Sequence, residues 1–120
     1  MGKHQERSVM LEEKLAQIRH RLEEYKAERV SCLNLEGKNL FTEGLVVLTA
    51  GSARHARSLA DGVAELCREN SWEFPHTEGY GAGQWILLDL NDIVVNIFLE
   101  PVRELYRLES LWGYDKRETA

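Results

Sequence analysis

Gly79, Gly81 and Gly83 stand at alternate positions of the segment GYGAG, a spacing that invites comparison with a phosphate-binding loop. A dinucleotide fingerprint needs GxGxxG leaving a strand and opening a helix, so that amide N–H groups and the helix dipole meet the pyrophosphate. Here the glycines lead into Trp85 and an apolar, strand-like run, which is the wrong context for a phosphate. Ser52, His55 and Asp61 have the residue types of a hydrolytic triad. Ser52 and His55, however, would share one helical turn, and nothing holds the base against the nucleophile as that chemistry requires. His4, His20, His55 and His76 are scattered, and no CxxC or HExxH occurs, so neither a metal nor a cofactor is expected.

Gly51-Ser52 is the better catalytic candidate, because it falls at an expected strand-to-helix junction. Nucleotidyltransferases place a Gly-Ser pair there and set paired metal-binding aspartates on a nearby strand. Asp89 and Asp92 lie three apart across an expected turn, where alternation of side chains does not aim both at one ion. A remnant of that fold without its chemistry fits better than an active site, and the chain reads as a non-enzyme.

The elements that carry these residues follow from composition and periodicity. At 120 residues, with 43% hydrophobic and 29% charged, the chain is expected to form one soluble globular domain over 9–120 after a flexible N-terminus over 1–8. No apolar run approaches the roughly 20 residues that span a bilayer. The polar start shows no secretory signal, so a cytoplasmic protein is expected. Cys32 and Cys67 sit far apart in apolar patterns and read as buried small hydrophobes. Net charge is −5, and its distribution is uneven. Residues 1–30 carry seven Lys/Arg against six acids, whereas 69–100 holds no cation and the acids Glu69, Glu73, Glu78, Asp89, Asp92 and Glu100. That acidic half argues against wrapping or direct reading of nucleic acid and suits a basic partner surface.

Leu11, Leu15, Ile18, Leu22 and Tyr25 recur at spacings of four and three, one apolar stripe of a helix. Residues 29–35 (RVSCLNL) predict a strand of mixed exposure, and GLVVLTAG a strand buried on both faces. Ser52 is a good N-cap for a helix with Ala56, Leu59, Ala60, Val63, Ala64 and Cys67 inward, closed near Asn70. A short edge strand is expected over 73–77 around Pro75. Trp85–Leu90 and Ile93–Leu99 flank Asn91-Asp92, a plausible two-residue hairpin turn, and Pro101 fits the first turn of a last helix with Val102, Leu105 and Tyr106 inward. The fold class is α/β: a mixed sheet flanked by helices.

With a two-residue turn, Leu90 opposes Ile93, Leu88 opposes Val95 and Ile86 opposes Ile97, and these aliphatics share a core face. The other face pairs Trp85 with Phe98, Leu87 with Asn96 and Asp89 with Val94. Either a helix covers that face, with Trp85 in the core, or part of it is open and Trp85 anchors a partner, as Trp often does at interface hot spots.

EGYGAGQWILLDLNDIVVNIF (78–98), followed by PVRELYRLESLWG (101–113), resembles the C-terminal half of the ribosomal silencing factors, or Iojap-related proteins. LTAGSARHARSLAD resembles their central segment and the helix it opens, and the resemblance runs from residue 11 to residue 114. Asn91 stands in place of the customary turn glycine, Asn96 in place of a histidine, and Ala50 separates a Thr and Gly that are usually adjacent. The resemblance implies a nucleotidyltransferase-like fold without known catalysis and, often, a homodimer. It implies binding to the large ribosomal subunit through its ribosomal protein fourteen, which blocks small-subunit joining and lowers translation. By that match Trp85 and its neighbours Leu87, Asp89, Asp92, Asn96 and Phe98 form the docking surface.

Overall fold

A computed structural model describes residues 3–38 and 42–100. The predicted last helix, from Pro101 onward, lies outside the described residues. Helix α1 spans Lys3–Glu24 and buries Leu11, Leu15, Ile18 and Leu22, the stripe its spacing predicts. It takes in most of the segment set aside as a flexible N-terminus. Tyr25 departs from the expectation. It falls beyond the helix end, is 40% exposed, and lays its ring against Gly62, where a Cβ would come within 2.9 Å of it.

Strand β1 (Glu28–Asn34) has the mixed exposure its sequence predicts and carries a bulge between Glu28 and Ser31, with Arg29 at φ 51°. Strand β2 (Gly44–Ala50) is buried at every position. Helix α2 (Ala53–Glu69) opens on the Ser52 hydroxyl, which accepts from the His55 N–H at 3.1 Å, and closes at Asn70. Its core residues include Ala56, Leu59, Ala60, Val63 and Cys67, with Leu66 and Gly62 beside them and Ala64 only half-buried. Strand β3 (His76–Glu78) begins just after Pro75, later than the sequence suggests, and β4 (Trp85–Asp89) and β5 (Ile93–Leu99) complete the sheet.

The sheet order is β1-β2-β5-β4-β3, so the short β3 is an edge, as a flanking proline favours. Only β2 and β5 run parallel, and the other pairs are antiparallel. A parallel pair needs a long crossover, and α2, β3 and β4 supply it. Both described helices pack on one face, over Val46, Leu48, Ile86, Leu88, Ile93, Val95 and Ile97. A smaller apolar cluster, Leu33, Leu35, Leu45, Val47 and Phe98, lies on the opposite face with Trp85 and Val94 packed against it. Burial pushes the Cys67 and Cys32 thiols above their ordinary pKa. Cys67 is buried as expected, whereas Cys32 is half-buried.

Both helices end in the same device. Ala27 N–H donates to the Leu22 carbonyl and Lys26 N–H to Glu23, each at 3.0 Å, while Trp72 and Ser71 do the same to Cys67 and Arg68 at 2.9 and 3.2 Å. These are Schellman motifs, whose left-handed residue is usually glycine. Here Lys26 (φ 66°) and Ser71 (φ 57°) occupy it. Ser71→Gly should therefore stabilise the fold by about 0.5–1 kcal/mol, seen as a higher denaturant midpoint at unchanged slope. A lower midpoint would show that the serine side chain contributes more than its backbone costs.

Candidate functional site

The site is built on the β4–β5 hairpin. Leu90 N–H donates to the Ile93 carbonyl at 2.8 Å, and Asn91 alone in the turn takes positive φ, 81°. Asp89 Oδ1 accepts from the Asn91 N–H at 2.8 Å, an Asx turn that fixes the reversal. The register that follows pairs Trp85 with Phe98, Leu87 with Asn96 and Asp89 with Val94. Those are the pairs the two-residue turn predicts.

On this face Trp85 is half-buried, neither enclosed nor free. Its indole Nε1–H donates to Asn96 Oδ1 at 2.9 Å, and its ring lies 4.9 Å from that of Phe98, tilted by 36°. Asn96 is 1% exposed and Phe98 fully buried. Two residues expected on a docking surface are therefore buried beneath it, where they fix the Trp85 ring. Leu87 and Val94 are half-buried and Asp89 exposed, so the accessible part of the face is Trp85, Leu87, Val94 and Asp89. Val94 joins this accessible face although sequence reasoning did not single it out, its pairing with Asp89 being legible.

Asp92 is not brought to this face. Its carboxylate takes Lys14 Nζ at 2.8 and 3.0 Å, the lysine also standing 4.9 Å over the Trp72 ring. Its carbonyl accepts from the N–H groups of Glu43 and Gly44 and from Thr42 Oγ1, at 3.0 to 3.2 Å. Asp92 thus fastens the hairpin turn to α1 and to the start of β2. In its place β3 contributes acid: His76 pairs with Asp89 and Glu78 with Leu87, which puts both on the Trp85 face. The two side chains are exposed, with His76 Nε2 3.1 Å from Glu78 Oε2. A three-residue strand has too little pattern to reveal this from sequence.

The glycines before Trp85 have separate jobs. Gly79 has φ 80°, and a Cβ there would sit 2.1 Å from the Trp85 carbonyl oxygen. Gly83 has φ 72°, and its Cβ would meet Ala53 at 2.7 Å. Gly81 faces open space. The turn is tied to α2 by Arg57, which donates to the Gly81 carbonyl at 3.0 Å, and by Tyr80, whose hydroxyl donates to both Asp61 oxygens at 3.0 and 3.2 Å. That hydrogen bond holds the Tyr80 hydroxyl above the ordinary phenol pKa. Asp61 is thus a fastener, well away from any triad.

At the β2–α2 junction, Gly51 N–H donates to His55 Nδ1 at 2.9 Å, and His55 Nε2 is 2.8 Å from the Tyr25 carbonyl. With Ser52 Oγ capping the helix, the Gly51 amide and the Ser52 hydroxyl are both already engaged. Among the described residues no group of three His, Cys, Asp or Glu side chains could hold a metal, and no helix is long and apolar enough to cross a membrane.

The sequence family described as "Ribosomal silencing factor during starvation" matches residues 8–120. Proteins named Ribosomal silencing factor RsfS are similar: that of Halalkalibacterium halodurans is 33% identical over 92 residues, 77% of this chain and 79% of its own. That of Chromobacterium violaceum is 32% identical over 95 residues, 79% of this chain and 78% of its own. A crystal structure of a Chromobacterium violaceum protein superposes with a TM-score of 0.82 at 30% identity, covering 88% of each chain.

Alanine at position 79 should cost at least about 2 kcal/mol of stability, from left-handed strain plus a backbone clash. Alanine at 81 should shift stability by no more than about 0.5 kcal/mol. Chemical denaturation of the two variants checks the contrast, and equal losses would mean the turn tightens as a unit.

Proposed function

This chain belongs to the ribosomal silencing factor family, and we propose that it binds the large ribosomal subunit and represses translation by steric occlusion. The docking element is the exposed part of the β4–β5 face. The observation that carries the reading is the state of Trp85: a large ring half out of the core, held at a fixed angle by Asn96 and Phe98. An aromatic already fixed in its bound orientation loses little freedom on binding, which favours affinity. Leu87 and Val94 extend the apolar patch, and Asp89 and Glu78 give it a negative margin. The complementary partner is basic with an apolar centre, as ribosomal protein fourteen of the large subunit would be. Bound mass at that place would keep the small subunit from joining, in the cytoplasm, without any reaction catalysed.

The names of the relatives support this reading: silencing factors in bacteria, and in Mus musculus a protein named Mitochondrial assembly of ribosomal large subunit protein 1, 24% identical over 96 residues. The degenerate nucleotidyltransferase reading gains nothing from Gly51-Ser52, whose amide and hydroxyl serve His55.

Trp85→Ala should weaken binding to purified large subunits by at least about 2 kcal/mol, roughly 30-fold, with the fold intact by circular dichroism. Unchanged affinity in a folded variant would sink the proposal. Asp89→Asn should mainly slow association and flatten its salt dependence, read by stopped-flow. Calorimetry with nucleoside triphosphates and magnesium should show no heat, and a saturable signal would revive the nucleotide reading.

A further inference from the structure

Although the chain is acidic overall, one end of the sheet carries three cations that its own carboxylates leave alone. Lys26 and Arg54 are exposed and Arg57 half-buried. Among the described residues none of the three has a carboxylate within ion-pair distance, and Arg57 spends one N–H on the Gly81 carbonyl. Other cations nearby are neutralised: Arg29 pairs with Glu100, and Arg21 with Glu69 and Glu24. The acids around the three are engaged as well, Asp61 with Tyr80 and Glu24 with His20 and Arg21. Glu24, Glu28 and Asp61 are the exposed acids beside them, and Asp61 keeps its charge in accepting from the neutral Tyr80 hydroxyl.

Bonds between neighbouring residues bring the backbones that carry them together. The His55 ring joins the Gly51 N–H to the Tyr25 carbonyl, which brings the backbone at Lys26, next to Tyr25, up to the backbone at Arg54, next to His55. Arg54 and Arg57 are three apart on α2 and share a side of the helix. The cluster also borders the loop before the docking strand. Ala53 abuts Gly83, two residues before Trp85, and Arg57 holds the loop that enters β4. Arg57 therefore lies against the loop that leads into the Trp85 strand, with α2 itself on the other face of the sheet from the ring.

We infer that Lys26, Arg54 and Arg57 form a second contact surface for the sugar-phosphate backbone of ribosomal RNA, beside the protein contact at Trp85. It rests on the proposed seat on the large subunit. The occupant is argued from charge: cations without a carboxylate partner fit a polyanion, and phosphate contacts position a protein without reading sequence. Guanidinium groups suit phosphate oxygens by their paired N–H geometry. Base edges are not read, which agrees with an acidic, strand-borne docking face.

The test is a salt titration of binding between the full chain and purified bacterial large ribosomal subunits. Each phosphate contact adds about 0.7 to 0.9 to the slope of log K against log salt. Lys26→Glu with Arg54→Glu leaves the Arg57–Gly81 tie intact. This pair should lower affinity at least about tenfold at low salt and reduce the slope by about 1.4 to 1.8. Trp85→Ala should lower affinity with the slope unchanged. A slope unaltered by the charge reversal overturns the inference even where Trp85→Ala abolishes binding, and the converse pattern removes the protein contact instead. A photoreactive residue at exposed Ser58 should label ribosomal RNA; labelling of an acidic protein alone would also overturn it.

Discussion

The register of the β4–β5 hairpin is the constraint on which the rest of this structure depends. Side chains alternate along a strand, so a slip of one residue would send every core aliphatic to the other face. Asn91-Asp92 prevents the slip by several bonds at once. Asn91 takes the left-handed conformation, Asp89 caps its amide, and Leu90 closes onto Ile93. The Asp92 carbonyl gathers the start of β2 while its carboxylate holds Lys14 of α1. Two residues thereby fix the sheet centre, a helix and the face that carries Trp85.

That fixed register explains why so much was legible in the sequence. Turn chemistry and alternation sufficed to pair Trp85 with Phe98 and Leu87 with Asn96, and Ser52 and Asn70 bounded α2. What escaped was depth. Alternation assigns a face but says nothing of how far each residue lies below the surface, so Asn96 and Phe98 read as accessible when they are buried. Asp92 escaped for a related reason, because its partner Lys14 is 78 residues away in the chain. The exposed Tyr25 followed from a helix that ends at Glu24, a position where the stripe itself gives no warning.

The glycines illustrate the same divide between pattern and geometry. Their even spacing suggested a common purpose, yet Gly79 makes room for the Trp85 carbonyl, Gly83 for Ala53, and Gly81 for nothing. The loop is rigid where it must admit the indole strand, and two α2 side chains, Arg57 and Asp61, hold it down. The chain belongs to the silencing factor family, and this construction gives its Trp85 strand a fixed approach.

The two margins of the sheet carry one more consequence. At one, β1 is kinked by a bulge with Arg29 in a left-handed conformation; at the other, β3 is three residues long and preceded by proline. Neither offers a long, straight row of amides and carbonyls for another chain to zip onto. Recognition by strand addition is therefore disfavoured, as is edge-to-edge polymerisation, and a binding partner is steered toward meeting this protein broadside, through side chains.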